Sequence, residues 1–221
     1  MDIKQTFDDE AEIYEITSRQ VNVYYDEGLN NLVKLIDKDT KKILDVCCGT
    51  GILTHLVATS FPTSKIVGVD FSPGMLNVAQ KRLPSINFLE HDICNEQMLC
   101  SLDNDFDLVI SSYGIHNIHG NKYKEKALKN IFNTLKIGGK FITLDLLQGE
   151  TTEEIEYFNS VQKNHLLKSF DLVETENWLT LLKEDDPITW NQNKYLLEKI
   201  GFKQVKLLWK KDFLAIWSAS K

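Results

Sequence analysis

The stretch Ile43-Leu44-Asp45-Val46-Cys47-Cys48-Gly49-Thr50-Gly51-Ile52-Leu53 decides the fold of this 221-residue chain. It combines an apolar strand, a glycine turn and the start of a helical pattern. Gly49 and Gly51 permit a tight turn and let a ligand approach the backbone where a Cβ would clash. The amide groups at the start of the helix then face the same ligand. The stretch therefore predicts a strand–turn–helix unit with a ligand site at the end of the strand.

The chain alternates short apolar runs with helical patterns, which is typical of parallel βαβ folds. The predicted strands are Lys42–Cys47, Lys65–Asp70, Ile86–His91, Phe106–Ser111 and Gly139–Leu146. The predicted helices between them are Gly51–Ser60, Pro73–Leu83, Asn95–Leu102 and Lys122–Leu135, and Gly138-Gly139 is expected to separate the last helix from the fifth strand. A helix over Trp190–Ile200 and an antiparallel pair, Lys203–Lys210 and Asp212–Ser218, complete the pattern. We expect an α/β fold, a Rossmann-like, seven-stranded, mostly parallel sheet with helices on both faces.

Helical segments flank this core. Asp8–Ile16 and Val21–Ile36 predict two helices before the sheet, and Thr151–Lys183 predicts a helical insertion after the fifth strand. Apolar residues of the insertion recur at spacings near three and four, so one face is expected to be buried. We expect these helices to form a cap over the carboxyl edge of the sheet, with packing on its outer face or a homodimer contact as the alternatives. The predicted organisation is a single domain with an N-terminal cap (1–40), a core (41–147), a helical insertion (148–189) and a C-terminal helix with a strand pair (190–221).

Composition narrows the classes of function. Hydrophobic residues make up 43% of the chain and charged residues 26%, which is typical of a globular protein. The net charge of −7 disfavours a nucleic-acid partner, because phosphate binding needs clustered Lys and Arg. The acidic first residues lack a signal peptide and no apolar stretch approaches bilayer length, so we expect a soluble cytoplasmic protein without a membrane partner. The cysteines, Cys47, Cys48, Cys94 and Cys100, lack the spacing of a zinc site or a disulfide framework, so free thiols and no metal are expected.

A second stretch, Val67-Gly68-Val69-Asp70-Phe71-Ser72-Pro73-Gly74-Met75-Leu76, places an acid at a strand end. Asp70 follows the glycines by about twenty residues, the distance at which an acid reaches ribose hydroxyls in nucleotide-binding α/β folds. A dinucleotide fingerprint would have a third glycine where Thr54 stands. Asp45 within the strand is also unfavourable beside a pyrophosphate, whereas it suits an ammonium group. These residues weaken a dehydrogenase hypothesis.

Both stretches resemble class I S-adenosylmethionine-dependent methyltransferases. The first resembles the family's motif I and the second its second-strand motif, while 105–112 resembles motif IV and 135–141 the crossing into the fifth strand. The match covers 42 to about 147, and 7–19 resembles the opening of small-molecule members. The tail from Asp186 to Ala215 resembles a stand-alone group of the family. Where the family often has two histidines, this chain has His116-Asn117, so no role of the second histidine is carried over.

The resemblance implies S-adenosylmethionine as cofactor and in-line methyl transfer to a small-molecule acceptor at oxygen, nitrogen or carbon. It implies that Asp70 binds the ribose, Asp92 the adenine amino group, and Tyr14 with Arg19 the cofactor carboxylate. The expected cofactor-binding residues are Tyr14, Arg19, Asp45, Gly49, Gly51, Asp70, Phe71, Met75, Asp92, Ile93 and Ser111. His116, just past the fourth strand, is the candidate general base, with packing under the cofactor as its alternative. Capping of the next turn is the alternative for Asp92.

Two other functions remain open at this point. One is a tRNA-modifying methyltransferase, including members that use a carboxylated S-adenosylmethionine, since a local basic patch is compatible with the net charge. The other is a cofactor-binding protein without catalysis. Fold resemblance alone does not choose between acceptors.

Overall fold

The structure, a computed structural model, describes residues 3–96 and 102–221. Within these residues, seven strands form one sheet in the order β3-β2-β1-β4-β5-β7-β6. Their bounds are β1 (Lys42–Val46), β2 (Lys65–Asp70), β3 (Asn87–Glu90), β4 (Phe106–Ser112), β5 (Leu135–Leu146), β6 (Lys203–Lys211) and β7 (Leu214–Ser220). The first five strands are parallel, and β7 runs antiparallel between β5 and β6. The predicted Rossmann-like, mostly parallel sheet is confirmed.

Helices cover both faces of this sheet, as predicted. Those of the described residues are α1 (Ile3–Glu10), α2 (Tyr14–Val21), α3 (Tyr25–Lys34), α4 (Ile52–Ser60), α5 (Pro73–Arg82), α6 (Asn121–Thr134), α7 (Thr152–Leu166), α8 (Leu172–Leu181) and α9 (Trp190–Ile200). Successive residues of β1 point to opposite faces, since Ile43 packs in a core with α3 and α4 while Leu44 packs in a core with α6 and α9. Two apolar layers therefore hold the sheet from either side.

The ends of α5 and α9 follow from local sequence. The Ser72 hydroxyl accepts a hydrogen bond from the amide of Met75 at the start of α5, and Pro73 occupies the first turn. Thr189 and Gln192 form a capping box at the start of α9, and Gly201, with φ 119°, ends it. The bounds predicted for α9 agree with the structure because both of its ends carry such signals.

Two predictions about local structure were wrong. The N-terminal part forms three helices and not two, because a turn at residues 11–13 divides the predicted helix Asp8–Ile16 between α1 and α2. The next helix, α3, starts after Tyr24, which takes a left-handed φ of 60°. The pair Gly138-Gly139 does not start β5, which begins at Leu135 directly after α6. Gly138, with φ 77°, lies within the strand, and its amide bonds the carbonyl of Lys221. The glycine pair therefore lies inside β5 and does not mark where the strand begins.

The helical insertion after β5 was only partly predicted. It forms two helices, and α7 buries Phe158 in a cluster with Val23 and Phe213 near the tip of β6 and β7. The apolar residues Leu172 and Leu181 of α8 are 67% and 58% exposed, so the expected buried face does not extend over this helix. The difference arises because periodicity predicts a helix face but does not say what covers it. The helix predicted near Asn95–Leu102 falls largely outside the described residues, as does Cys100.

Candidate functional site

A cavity of about 70 Å³ lies at the carboxyl ends of β1, β2 and β4. We call it the strand-end cavity. Its lining residues are Phe7, Tyr14, Tyr25, Cys47, Cys48, Gly49, Thr50, Ile52, Leu53, Asp70, Phe71, Met75, Ser112, Tyr113, Gly114 and Asn117. Between β1 and β4 the strand order reverses direction, which is where open α/β sheets bind their ligands. The topology therefore marks this cavity as the candidate site.

The glycine turn after β1 exposes its backbone to this cavity. Gly49 has φ +52°, and no heavy atom of the described chain lies within 4 Å of where its Cβ would stand. Gly51 has φ +76°, and a Cβ there would lie 3.1 Å from the Cβ of Ala79 on α5. Gly49 thus leaves room on the ligand side, while Gly51 allows α4 and α5 to approach each other.

Asp70 ties the end of β2 to the glycine turn. Its carboxylate accepts hydrogen bonds from the amide of Gly49 at 2.9 Å and from the amide of Ser72 at 3.0 Å. Burial raises the pKa of this carboxyl group, and the backbone amides oppose that shift. Asp70 therefore presents a carboxylate at the bottom of the cavity, held in place by two neighbouring loops.

The N-terminal helices cover the cavity. Asp8 on α1 accepts hydrogen bonds from the Ser72 hydroxyl at 2.5 Å and the Gly74 amide at 2.8 Å. The Phe7 ring lies edge-on to the rings of Tyr14 and Phe71, with centroids 6.0 and 5.9 Å away. A cavity of about 70 Å³ is much smaller than the roughly 300–1,000 Å³ of typical small-molecule pockets. A ligand as large as a nucleoside requires α1 and α2 to move.

Two hydroxyl groups of the lining residues fit a polar ligand. Thr50 Oγ1 and Tyr113 Oη are buried and have no hydrogen-bond partner within the described residues. Buried polar atoms normally have partners, so each of these hydroxyls is suited to bond an atom of a ligand. Together with the Asp70 carboxylate and the apolar side chains of Phe71 and Met75, they match a nucleoside with a polar tail. The residues present therefore fit the expected cofactor.

Five of the predicted site residues meet in the strand-end cavity: Tyr14, Gly49, Asp70, Phe71 and Met75. Burial raises the pKa of the Tyr14 phenol to about 12, so this group is a hydrogen-bond donor at neutral pH. Gly51 lies behind the turn, against α5. Their proposed roles toward the cofactor remain predictions.

Asp45 is also placed behind the turn and does not line the cavity. It is buried within β1 and accepts a hydrogen bond from the Thr54 hydroxyl at 2.5 Å. Its Oδ1 has no partner within the part of the chain that the structure describes. Burial raises the pKa of this carboxyl group to about 7. Thr54, which stands where a dinucleotide fingerprint has glycine, thus has a structural role beside Asp45.

The structure does not bring Arg19, Asp92, Ile93 and Ser111 into the cavity lining. Arg19 is exposed and forms ion pairs with Glu15 and, at 3.2 Å, with Asp26. Asp92 is exposed and accepts a hydrogen bond from the amide of Cys94 at 2.8 Å. This bond is the turn cap that was considered as the alternative to adenine binding.

Ile93 and Ser111 are buried. The Ile93 carbonyl accepts a hydrogen bond from the Asn130 amide group at 2.8 Å. For both residues a cofactor role remains a prediction that requires local movement.

Sequence reasoning missed the aromatic wall of the cavity. Tyr25 on α3 stacks on Tyr113 after β4, with ring centroids 5.2 Å apart. Tyr113 takes a left-handed φ of 51°, which turns the chain sharply at the strand end. A Cβ on the next residue, Gly114, would lie 2.5 Å from the Cβ of Cys47, so this turn packs tightly on the glycine turn. The dipeptide Tyr113-Gly114 after β4 could have indicated this turn from the sequence. No local pattern indicates that Tyr25 lines the cavity.

His116 lies beside the strand-end cavity in a buried charge pair. Its Nδ1 bonds the carboxylate of Asp145 at the end of β5, which also accepts from the amides of Ile115 at 2.7 Å and Leu146 at 2.8 Å. Burial lowers the pKa of His116, but the negative charges of Asp145 and Asp185 outweigh it and raise the pKa overall. A carboxylate on Nδ1 fixes the orientation of the imidazole ring. The role of general base and the alternative of packing under the cofactor both remain predictions.

A second cavity, of about 560 Å³, lies beyond this pair, between the end of β5, α7 and the segment 182–188. We call it the cap cavity. Its lining residues are Gly120, Asn121, Leu146, Leu147, Gln148, Gly149, Ile155, Phe158, Asn159, Gln162, Leu182, Lys183, Asp185, Asp186, Pro187, Ile188, Gln192 and Phe213. Its size falls within the range of small-molecule pockets. The chain therefore has a small cavity at the sheet switch point and a larger one beside α7.

Neither a metal-binding cluster nor a membrane-spanning helix is found among residues 3–96 and 102–221. These residues contain no group of three or more His, Cys, Asp and Glu side chains that could hold a metal ion. None of their helices has the length and apolarity that crossing a bilayer requires.

Comparison with known proteins adds the following relatives. Residues 43–139 match a family model described as a methyltransferase domain. The chain is 28% identical over 145 residues to a ubiquinone/menaquinone biosynthesis C-methyltransferase of Desulfotalea psychrophila, covering 65% of this chain and 57% of the relative. It is 38% identical over 107 residues to a demethylmenaquinone methyltransferase of Symbiobacterium thermophilum, covering 47% of this chain and 41% of the relative. The chain thus spans about half the length of these two relatives.

Solved structures share the fold. A possible histamine N-methyltransferase from Thermotoga maritima has a TM-score of 0.67 at 20% identity, with 99% of this chain and 100% of that chain covered. Human N-acetylserotonin methyltransferase in complex with SAM has a TM-score of 0.62 at 19% identity, with 99% of this chain and 55% of that chain covered. At these identities the likeness concerns the fold.

Proposed function

Because the chain belongs to the class I S-adenosylmethionine-dependent methyltransferases, we propose that it transfers a methyl group from this cofactor to a small-molecule acceptor. The observation that supports this most is the strand-end cavity. It combines a glycine turn, a buried carboxylate and two unpartnered hydroxyls at the switch point of the sheet.

Different residues of this cavity would bind different parts of the cofactor. Asp70 would accept from the ribose hydroxyls, and Phe71 with Met75 would pack against the adenine. Thr50 and Tyr113 would donate their free hydroxyls to the polar tail. When bound, S-adenosylmethionine supplies a methyl group on a sulfonium, which is already an activated leaving group.

The chain's own contribution to the reaction is alignment and exclusion of water. α1 and α2 would open to admit the cofactor and close again through the bonds that Asp8 makes to Ser72 and Gly74. Closure keeps water from solvating the acceptor nucleophile. In-line methyl transfer needs little more than this when the nucleophile is positioned correctly.

The acceptor would bind in the cap cavity. That cavity lies next to His116 and Asp145, which follow β4 and end β5 on the same edge of the sheet as the strand-end cavity. The curated relatives are named for quinone methylation, and this chain spans only about half of the first two. The proposal therefore extends to a small-molecule acceptor and not to a particular quinone.

A labelling experiment tests the proposal. Purified protein is incubated with methyl-labelled S-adenosylmethionine and a small-metabolite extract, and labelled products are identified by mass spectrometry. We expect a labelled small molecule that disappears with Asp70→Ala. Cofactor binding without any transfer would favour a non-catalytic binding protein, and label that appears only with total tRNA would favour the RNA-modifying alternative.

A further inference from the structure

The cap cavity contains a carboxylate that lacks a hydrogen-bond donor. The side chain of Asp185 lines the cavity and is 20% exposed. The charged group placed against it is His116, whose Nε2 lies 4.0 Å from Asp185 Oδ2. That separation exceeds a hydrogen bond. No donor among residues 3–96 and 102–221 forms a hydrogen bond with the Asp185 carboxylate. Its oxygens are therefore available to accept hydrogen bonds from a ligand.

The two neighbouring carboxylates are already satisfied. Asp145 is paired with His116 and bonded by backbone amides. Asp186 accepts from the Gly120 amide at 2.7 Å and from the buried Lys124 ammonium at 3.1 Å. His116 and Lys124 thus each neutralise one carboxylate. Among the three, Asp185 is the negative charge left without a direct partner.

Partial burial of a carboxylate favours uptake of a proton or pairing with a cation, and the Asp185 side chain is only 20% exposed. Burial raises the pKa of Asp185, and the charge of His116 opposes that shift. Lys183, the basic residue of the lining, is exposed and makes no ion pair with Asp185 within the described residues. A cation on a ligand would supply what the chain does not.

Apolar side chains form part of the cavity lining, beside polar residues such as Asn159 and Gln162 of α7. Ile155 and Phe158 come from α7, Pro187 and Ile188 from the segment after Asp185, and Phe213 from the tip of β6 and β7. Such side chains favour a ligand with an apolar body, since burial of apolar surface stabilises binding. The cavity thus offers an apolar wall with a negative charge.

We propose that Asp185 binds an ammonium group of the methyl acceptor, and that the acceptor of this protein is an amine with an apolar body. The geometry behind this inference is the cap cavity, in which Asp185 accepts no hydrogen bond from residues 3–96 and 102–221, next to the His116–Asp145 pair. The identity of this ligand as the methyl acceptor rests on the proposed function. The prediction that an amine binds in the cavity does not depend on the proposed function.

Three probes of similar shape test the charge of the ligand. 2-Phenylethylamine, 2-phenylethanol and 3-phenylpropionate are titrated into the full chain saturated with S-adenosylhomocysteine, and again without it, by calorimetry. We expect the cationic amine to bind at least tenfold more tightly than the neutral alcohol, and the carboxylate to bind most weakly. This selectivity of the unaltered protein tests the proposal without any variant.

Asp185→Asn removes the charge and keeps the shape, so the preference for the amine should vanish. Glu184→Gln removes an equal charge from an exposed neighbour outside the lining, and the preference should persist. The proposal is overturned if the alcohol binds as tightly as the amine, if no probe binds, or if Asp185→Asn retains the preference. Titration with S-adenosylhomocysteine alone separates these results from a failure of the proposed function, which would show as lack of cofactor binding.

Discussion

The strand-end cavity and the cap cavity are built in different ways. The first is lined mainly by loops that directly follow β1, β2 and β4, and its packing is close enough to leave about 70 Å³. The second is lined by segments that are distant in sequence, from α7 to the tip of β6 and β7, and it measures about 560 Å³. The comparison teaches that the sheet edge determines where the proposed cofactor site lies, while the insertion after β5 contributes to the shape of the proposed acceptor site.

The largest effect is expected at the boundary between the two cavities. His116→Ala leaves the buried carboxylate of Asp145 without its cation, which typically costs about 3–5 kcal/mol of stability. We expect the free energy of unfolding, measured by urea denaturation at pH 6, to fall by at least about 3 kcal/mol. His119→Ala, at an exposed position, is the control and should stay within about 0.5 kcal/mol of the unaltered protein.

The unaltered protein and His116→Ala can also be compared through the pH dependence of their stability. The pKa of His116 is raised in the folded state, so its contribution to stability is complete below the ordinary pKa of about 6.5 and is lost as pH rises through the folded value. The stability difference between the unaltered protein and His116→Ala should therefore shrink as pH rises above about 6.5. A difference that is constant with pH would show that His116 is not held protonated by Asp145.

Local signals predicted the strand-end cavity, and long-range contacts explain what was missed. The glycine turn, Asp70 and the Ser72 cap are each specified by adjacent residues, so sequence alone placed them. The Tyr25–Tyr113 stack joins α3 to the turn after β4, two elements that are far apart in sequence. No periodicity or spacing specifies such a contact, since it depends on how α3 packs on the sheet.

The cap cavity shows the same limit more strongly. Helical spacing predicted the insertion, yet it did not indicate that α7 would bury Phe158 while α8 would leave Leu172 exposed. Likewise, His116 was identified from its position after β4, but its partner Asp145 lies 29 residues away. The role of a charged side chain depends on such partners, so the sequence named the residue but not the carboxylate that pairs with it.

Asp70→Ala should have the next largest effect, and it should be confined to the strand-end cavity. Loss of a charge-assisted hydrogen bond costs about 1.5–3 kcal/mol, so the affinity for S-adenosylhomocysteine should fall by roughly 10- to 100-fold in calorimetry. Asp92→Ala, which removes an exposed turn cap, should cost less. Because Asp70 also bonds the amides of Gly49 and Ser72, circular dichroism must show that the variant is folded. Equal and negligible losses for both variants would mean that the ribose lies elsewhere.

Hydrogen exchange tests whether the two cavities close together. If α1 and α2 close on the cofactor and α7 roofs the acceptor, S-adenosylhomocysteine should slow amide exchange several-fold over residues 8–19 and 151–183. Gln162 on α7 donates a hydrogen bond to the Val21 carbonyl at the end of α2 at 2.9 Å, which provides a direct link. Protection limited to residues 8–19 would assign the insertion to scaffold or dimer contacts.

The smallest effect is expected for the cysteines of the glycine turn. Burial raises the pKa of both the Cys47 and Cys48 thiols well above the ordinary value, so neither is a thiolate at neutral pH. Replacing each with Ala should change the rate of methyl transfer by less than about threefold once folding is intact. A folded Cys48→Ala protein without activity would instead indicate a thiol mechanism.

The melting temperature with different nucleotides tests the central claim most directly. A ligand that binds the folded state raises the melting temperature in proportion to the logarithm of its concentration over Kd. S-adenosylmethionine and S-adenosylhomocysteine should each raise it in the unaltered protein, and Asp70→Ala should reduce that rise, while NAD and NADP should leave it unchanged. An increase with NAD or NADP and none with S-adenosylhomocysteine would contradict the assignment of the strand-end cavity as a methyl-donor site.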